Sequence, residues 1–158
     1  MCDYSLADLP NRLAMEGEEL TAHRFPTGSI GLASPADLQA GQRKNMLRNG
    51  NWWTRLKALF EIGQACPVPA VCIPPGARLV LRNIPADLQR EWKVQAEEDV
   101  VFLQTSAAVN TYRDAIEFKN GRRVRLQDLR LGLKMDVLSL NPVAAEEPTI
   151  TPVRERTL

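Results

Sequence analysis

The sequence predicts a mainly β fold with one or two helices, in which a small antiparallel β-barrel or roll occupies about residues 68–140. The first observation behind this prediction is a series of short, partly alternating apolar segments separated by turn residues, a pattern typical of small closed sheets. The second is the pair Asn120-Gly121 between two such segments, which is the strongest short-range signal of a β-hairpin in the chain.

The register of this hairpin follows from its charges. A two-residue turn would place arginines against the apolar face, because a shift of one residue moves every side chain to the other face. A three-residue loop, in which Gly121 takes a positive φ, instead pairs Ile116 with Val124. The same loop pairs Glu117 with Arg123 on the opposite face, so we predict this second register.

The other elements follow in chain order. Residues 1–65 are predicted to supply an N-terminal arm, a strand and an amphipathic helix packed on the barrel, and residues 66–140 the barrel itself. Ser34, Pro35 and Asp37 have the spacing of a helix start, although Gly41 predicts that this helix is weak. Predicted strands cover residues 19–25, 30–33, 77–83, 99–105, 112–118, 122–127 and 134–140, with a short helix over 85–92. Residues 141–158 are rich in Pro, Glu and Thr and are predicted to form a flexible tail.

The best helical periodicity lies between residues 52 and 62, where apolar residues recur on one helical face. We expect this amphipathic helix to cap an open end of the barrel and to bury both of its tryptophans. In the alternative, one of Trp52 and Trp53 is left for a partner, with Arg55 beside it. These three residues are the candidate partner-binding surface.

The charge balance offers no support for a nucleic-acid partner. The 158 residues include 20 Lys and Arg against 19 Asp and Glu, a formal net charge of +1. Lys119, Arg122, Arg123 and Arg125 form a local basic strip, which we expect to be a solvated face because acidic residues partly neutralise it. No apolar run approaches the roughly 20 residues of a membrane span, and the N-terminus lacks the features of a signal peptide. We therefore predict a cytoplasmic protein.

Three cysteines and one histidine are the candidate metal ligands. The odd number of cysteines argues against a disulfide framework and fits a reducing compartment. Cys2, His23, Cys66 and Cys72 offer three thiolates and an imidazole, a set that would hold zinc or another transition metal. The five residues between Cys66 and Cys72 do not match a zinc knuckle, and Cys72 in its apolar setting is also explained as a small buried hydrophobe.

Two short stretches can be compared with other proteins: Met1-Cys-Asp-Tyr-Ser-Leu6 at the start and Ala70-Val-Cys-Ile-Pro-Pro-Gly76 further on. In these stretches the chain resembles short uncharacterised bacterial proteins that open in the same way. This resemblance implies a bacterial source. It implies no activity, because none is assigned to that group.

Two functions follow from the residues. With a single histidine, His23, no acid/base pair of histidines exists, and adjacent carboxylates on a strand point to opposite faces. We therefore expect a non-catalytic cytoplasmic binding or accessory protein with a protein partner. The alternative is a metal- or thiol-site protein, acting in metal handling or redox chemistry, that uses Cys2, His23 and Cys72.

Overall fold

The computed structural model describes residue 6 and residues 9–48, 68–105 and 112–141. Its strands are β1 (Asn11–Leu13), β2 (Glu19–Arg24), β3 (Ile30–Ala33), β4 (Ala70–Cys72), β5 (Arg78–Arg82), β6 (Glu98–Gln104), β7 (Asp114–Phe118), β8 (Arg123–Arg125) and β9 (Lys134–Ser139). Its helices are α1 (Pro35–Arg48), α2 (Ala86–Trp92) and the 3-10 helix Leu126–Asp128. The predicted mainly β class is therefore confirmed.

Seven of these strands form one antiparallel sheet in the order β3-β2-β9-β5-β6-β7-β8. The sheet curls into a half-barrel, as the sequence predicts. It extends beyond the predicted range of residues 66–140, because β2 pairs directly with β9. The segment before residue 66 thus contributes two strands to the sheet itself.

The hairpin adopts the predicted register. Ile116 lies opposite Val124 and Glu117 lies opposite Arg123. Gly121 has a φ of 79°, a conformation that residues with a Cβ rarely adopt. Asn120 also donates from Nδ2 to the carbonyls of Trp92 (3.0 Å) and Lys93 (3.1 Å), so the loop fastens the C-terminal end of α2.

The concave face of the sheet is filled by apolar side chains. Alternate residues of each strand point inward, as the period of two requires. Among the most deeply buried of them are Leu20, Leu79, Leu81, Phe102, Ile116, Met135 and Val137. The helix α2 packs on this core through Leu88 and Trp92, and the ring centroids of Trp92 and Phe118 are 5.5 Å apart. Within the described ranges, α2 is therefore a helix that covers the core.

Gln127 joins the two ends of the curled sheet. It follows β8, which lies at one edge, and its side-chain amide meets Ile30 of β3 at the other edge. Nε2 donates to the Ile30 carbonyl at 2.9 Å, and Oε1 accepts from the Ile30 N–H at 3.0 Å. The side-chain amide thus gives the N–H and the carbonyl of Ile30 the hydrogen bonds that a neighbouring strand would supply, although β3 lies at the edge of the sheet.

A second layer covers the outer face of β3, and we call it the outer layer. It consists of Leu6, α1 and the parallel pair of β1 with β4. Leu6 and Phe25 pack directly on Gly31, where an added Cβ would lie 2.6 Å from Leu6 Cδ1. The predicted N-cap of α1 is confirmed, since Ser34 Oγ accepts from the Asp37 N–H at 3.1 Å. Gly41 does not break this helix, because α1 continues to Arg48.

Two predicted elements cannot be compared with the structure. The amphipathic helix at residues 52–62 lies outside the described residues, and so does the predicted tail beyond residue 141.

Replacing Gln127 with Ala is expected to lower the free energy of unfolding by about 1–3 kcal/mol, since both Ile30 backbone groups lose their partner. Gln127→Glu should destabilise as well, because a carboxylate cannot donate to the Ile30 carbonyl. Urea denaturation measures both. The exposed Gln95→Ala is the control and should change stability by less than about 0.5 kcal/mol; an equal effect of Gln95→Ala would contradict the role of Gln127.

Candidate functional site

The outer face of the sheet carries several ion pairs. Those between strands or the residues flanking them are Glu19–Lys134, Asp136–Arg82, Glu97–Arg82, Asp99–Lys119 and Glu117–Arg123. The pair Asp128–Arg125 instead joins the 3-10 helix to the end of β8, which precedes it. Such exposed pairs contribute about 0–1 kcal/mol each to stability. Their main consequence is that positive and negative charges alternate over this face, so that it presents no extended region of one sign.

The basic strip predicted on the hairpin is neutralised in this way. Lys119 pairs with Asp99 at 2.7 Å, and Arg122 approaches Glu91 at 3.5 Å. The remaining two arginines of the strip also have carboxylate partners. The strip therefore lacks the row of free cations that a nucleic-acid backbone requires.

A groove lies between β5, β6 and β7 on this outer face, and we call it the Arg78 groove. Its volume is about 430 Å³. Strand register places Arg78 beside Val101, and Val101 beside Glu117. The complete lining is Arg78, Asp99, Val100, Val101, Glu117, Phe118, Lys119 and Gly121.

Arg78 differs from the cations around it. Its side chain is exposed, and it forms none of the ion pairs among the described residues. The nearby carboxylates are engaged elsewhere, Asp99 with Lys119 and Glu117 with Arg123 at 2.7 Å each. A guanidinium that is exposed beside a valine, with no carboxylate partner in the described part of the chain, is suited to a ligand that carries a carboxylate next to an apolar group.

His23 lies half-buried on the outer face of β2. Its ring meets Phe25 edge to face, with the ring centroids 5.1 Å apart. Burial lowers the pKa of His23 below its ordinary value, so the imidazole is neutral at pH 7. A neutral imidazole is the form that binds metals.

Cys72 is disulfide-bonded in the structure. The odd cysteine count argued against a disulfide framework, but Cys72 does form a disulfide. A sulfur held in a disulfide is not a thiolate, so Cys72 in this state does not serve as the predicted metal ligand. Within the described ranges no three His, Cys, Asp or Glu side chains group to hold a metal ion. Cys2 and Cys66 lie outside those ranges, and so do Trp52, Trp53 and Arg55.

A partly buried cluster of charged side chains, not predicted from the sequence, joins the outer layer to the barrel. Arg12 of β1 contacts Glu18, just before β2, and its Nη2 lies 2.9 Å from Asp37 Oδ2 in α1. The Glu18 side chain is 10% exposed. The hydrogen bond from Arg12 lowers the pKa of Glu18, an effect stronger than the opposing effect of burial. Local sequence carries no signal for this cluster, since Arg12 and Asp37 are far apart in the chain.

Comparison of the chain with protein-family models, with curated proteins and with solved structures gives no match. None of the described helices has both the length and the apolar character required to cross a membrane.

Glu18→Gln is expected to cost about 1–3 kcal/mol of stability at pH 7, because Arg12 loses a charged hydrogen-bond partner. The folded-state pKa of Glu18 is lowered, so its contribution is complete above the unfolded-state pKa of about 4.3 and disappears as the pH falls through the folded-state value. Urea denaturation of both proteins between pH 7 and pH 2 should thus show a difference that shrinks in acid.

The matched control for this experiment is Glu19→Gln. Glu19 forms an exposed ion pair with Lys134, so its replacement should change stability by less than about 0.5 kcal/mol at any pH. A pH-independent difference for Glu18→Gln would contradict the electrostatic explanation.

Proposed function

We propose that this chain is a non-catalytic binding or accessory protein in which the half-barrel is the scaffold and the Arg78 groove is a contact surface for a protein partner. The observation that carries the proposal is the guanidinium of Arg78, which forms no ion pair with any described residue and lies in an open groove on a face whose other described charges are largely paired.

The packing of the sheet supports a contact surface on the outside. The inward-facing side chains of the central strands, such as Leu79, Phe102 and Met135, are at most 1% exposed. Because the concave face is filled by its own side chains, it forms a core with no room for a ligand, and a ligand must bind on the outer surface. This is the reason to place binding at the groove.

The chemistry of the groove favours a peptide segment over a nucleic acid. Nucleic-acid backbones are bound by many cations together, whereas this groove offers Arg78 alone beside the ion pair of Lys119 with Asp99. One guanidinium next to Val101 matches an acidic residue that is followed or preceded by an apolar one. Trp52, Trp53 and Arg55 remain a second predicted contact surface, and the cytoplasm remains the proposed compartment.

Arg78→Glu is expected to weaken partner binding at least about tenfold, because one charge-assisted hydrogen bond contributes about 1.5–3 kcal/mol. The measurement is chemical cross-linking of the tagged full-length chain in cells, followed by quantitative mass spectrometry of the captured proteins.

Arg90→Glu is the matched control for this binding experiment. Arg90 is also an exposed arginine outside the described ion pairs, but it lies on α2 and away from the groove lining. A partner lost with Arg78→Glu and kept with Arg90→Glu supports the proposal. Recovery of the same proteins with the wild type and both variants contradicts it.

A thiol role is the second candidate function, and the disulfide at Cys72 is the observation that favours it over metal binding. We expect elemental analysis of the untagged protein to give only substoichiometric zinc, iron and copper. One metal ion per chain that is lost in both Cys2→Ser and His23→Gln would instead support the metal site predicted from the sequence.

A further inference from the structure

We propose that the Arg78 groove binds an extended peptide segment in which one acidic residue has an apolar residue two positions before it and another two positions after it. This inference rests on the proposed function and deepens it, because it names the sequence that the groove recognises. It follows from the strand register around Arg78, which places the guanidinium between Leu138 of β9 and Val101 of β6. We call these three residues the Arg78 row.

Arg78 lies beside a β-bulge in the neighbouring strand. Its partner in β9 is Ser139, whereas the partner of the next residue, Leu79, is Val137. Leu138 is therefore an extra residue between these two pairs, which is the arrangement of a bulge. Bulges redirect a side chain and are over-represented next to functional sites.

Leu138 lies on the same outer face as Arg78. Val137 points into the core and is 1% exposed, whereas Leu138 is 43% exposed. A single exposed leucine is common in proteins and carries no argument by itself. This leucine, however, borders Arg78 on one side, while Val101 of the groove lining borders it on the other. The guanidinium thus has an apolar side chain on each neighbouring strand.

The charges around Arg78 leave one positive charge to be neutralised by a ligand. Asp99 pairs with Lys119 and Glu117 pairs with Arg123, so these four charges cancel. Arg78 forms no ion pair with a described residue. A ligand with one carboxylate matches this excess charge, whereas a run of acidic residues would be repelled by the two carboxylates of the groove.

Glu16 also reaches this end of β9, but its carboxylate has other partners. Its Oε1 accepts from Ser139 Oγ at 3.1 Å and from the Leu140 N–H at 2.9 Å. These bonds hold Glu16 against β9, and no ion pair joins it to Arg78 in the described part of the chain. The carboxylate that complements Arg78 therefore has to come from the ligand.

The curvature of the sheet favours an extended peptide over a helix. The core fills the concave face, so the Arg78 row lies on the convex face. Side chains of neighbouring strands diverge there, and their ends are farther apart than the backbone spacing of about 4.8 Å. In an extended peptide, side chains on one face are two residues and about 6.8 Å apart, and the backbone can bend with the surface. A straight helix would contact a convex row only near its centre.

A second copy of this chain is a poorer occupant of the groove. A symmetric dimer formed through the groove would use the same surface on both copies. The two Arg78 guanidinium groups would then face each other with like charges. A peptide that supplies the missing negative charge is the occupant that the electrostatics favour.

The first test is a selection of random linear peptides displayed on phage against the immobilised full-length chain. Peptides that also bind Arg78→Glu are removed. We expect the remaining peptides to share an acidic residue with apolar residues two positions away on both sides. Selected peptides that lack this pattern would overturn the proposal, and so would a selection that yields no peptide specific to the wild type.

The second test measures the affinity of one selected peptide, synthesised with blocked termini, by fluorescence anisotropy. Leu138→Ser should weaken binding about three- to tenfold, because the peptide then covers less apolar area. Leu131→Ser is the matched control and should bind as the wild type, since Leu131 is also exposed, at 48%, but lies outside the Arg78 row and the groove lining. Equal affinities of Leu138→Ser and the wild type would overturn the proposal.

A change in the peptide tests the charge without altering the protein. Replacing the acidic residue of the peptide with its amide should weaken binding to the wild type at least about tenfold. With Arg78→Ala, the same replacement should make little further difference, as expected for two groups in contact. Fully additive losses would show that this carboxylate does not bind Arg78.

The outcomes separate the peptide specificity from the proposed function. Binding that is lost with Arg78→Glu but unchanged with Leu138→Ser would keep the groove as a contact surface and overturn the Arg78 row. Cross-linked partners that do not depend on Arg78 would contradict the proposed function, and the peptide specificity would fall with it. A wild-type dimer in sedimentation velocity that Arg78→Glu dissociates would identify a second copy as the occupant and overturn the proposal.

Discussion

The pairing of β2 with β9 is the constraint on which the rest of the structure depends. It places Leu20 opposite Met135, both completely buried, and so joins the start of the chain to its last described strand. Without it the sheet would end at β9, and the hairpin of β2 with β3 would be separated from the other five strands. The curl that brings Ile30 to Gln127, and with it the closed core, follows from this one long-range contact.

On the outer face of the sheet, acidic side chains are paired with basic side chains nearby. Glu19 lies opposite Asp136 in the register of β2 and β9, and each of these carboxylates has its own cation, Lys134 and Arg82. A face built in this way gains little stability but avoids like-charge repulsion between strands. Against this background Arg78, which forms no ion pair with a described residue, is the feature on which the proposed contact surface rests.

The outer layer is held by interactions of two different physical kinds. The backbone hydrogen bonds of β1 with β4 join neighbouring strands, and the partly buried cluster of Arg12 with Glu18 and Asp37 is electrostatic. Acid weakens the charge cluster, whereas the core of the half-barrel is apolar. The attachment of the outer layer is therefore expected to depend on pH.

The sequence by itself determined the elements whose signals are local. The alternation of apolar residues predicted the strands, Asn120-Gly121 with its charge pattern predicted the hairpin register, and Ser34 predicted the start of α1. These predictions hold because turns, helix caps and the alternation of apolar residues along a strand all depend on residues that are close in the chain.

Only the tertiary structure decided how distant segments meet. Neighbouring residues do not predict three of these contacts: the pairing of β2 with β9, the bridge from Gln127 to Ile30 and the cluster at Arg12. The reason is that the sequence contains many residues that could pair equally well with a given glutamine or arginine. The same holds for the disulfide at Cys72, since a count of cysteines says nothing about which sulfurs lie within bonding distance. The candidate site depends on just such contacts, which is why the fold was more predictable than the function.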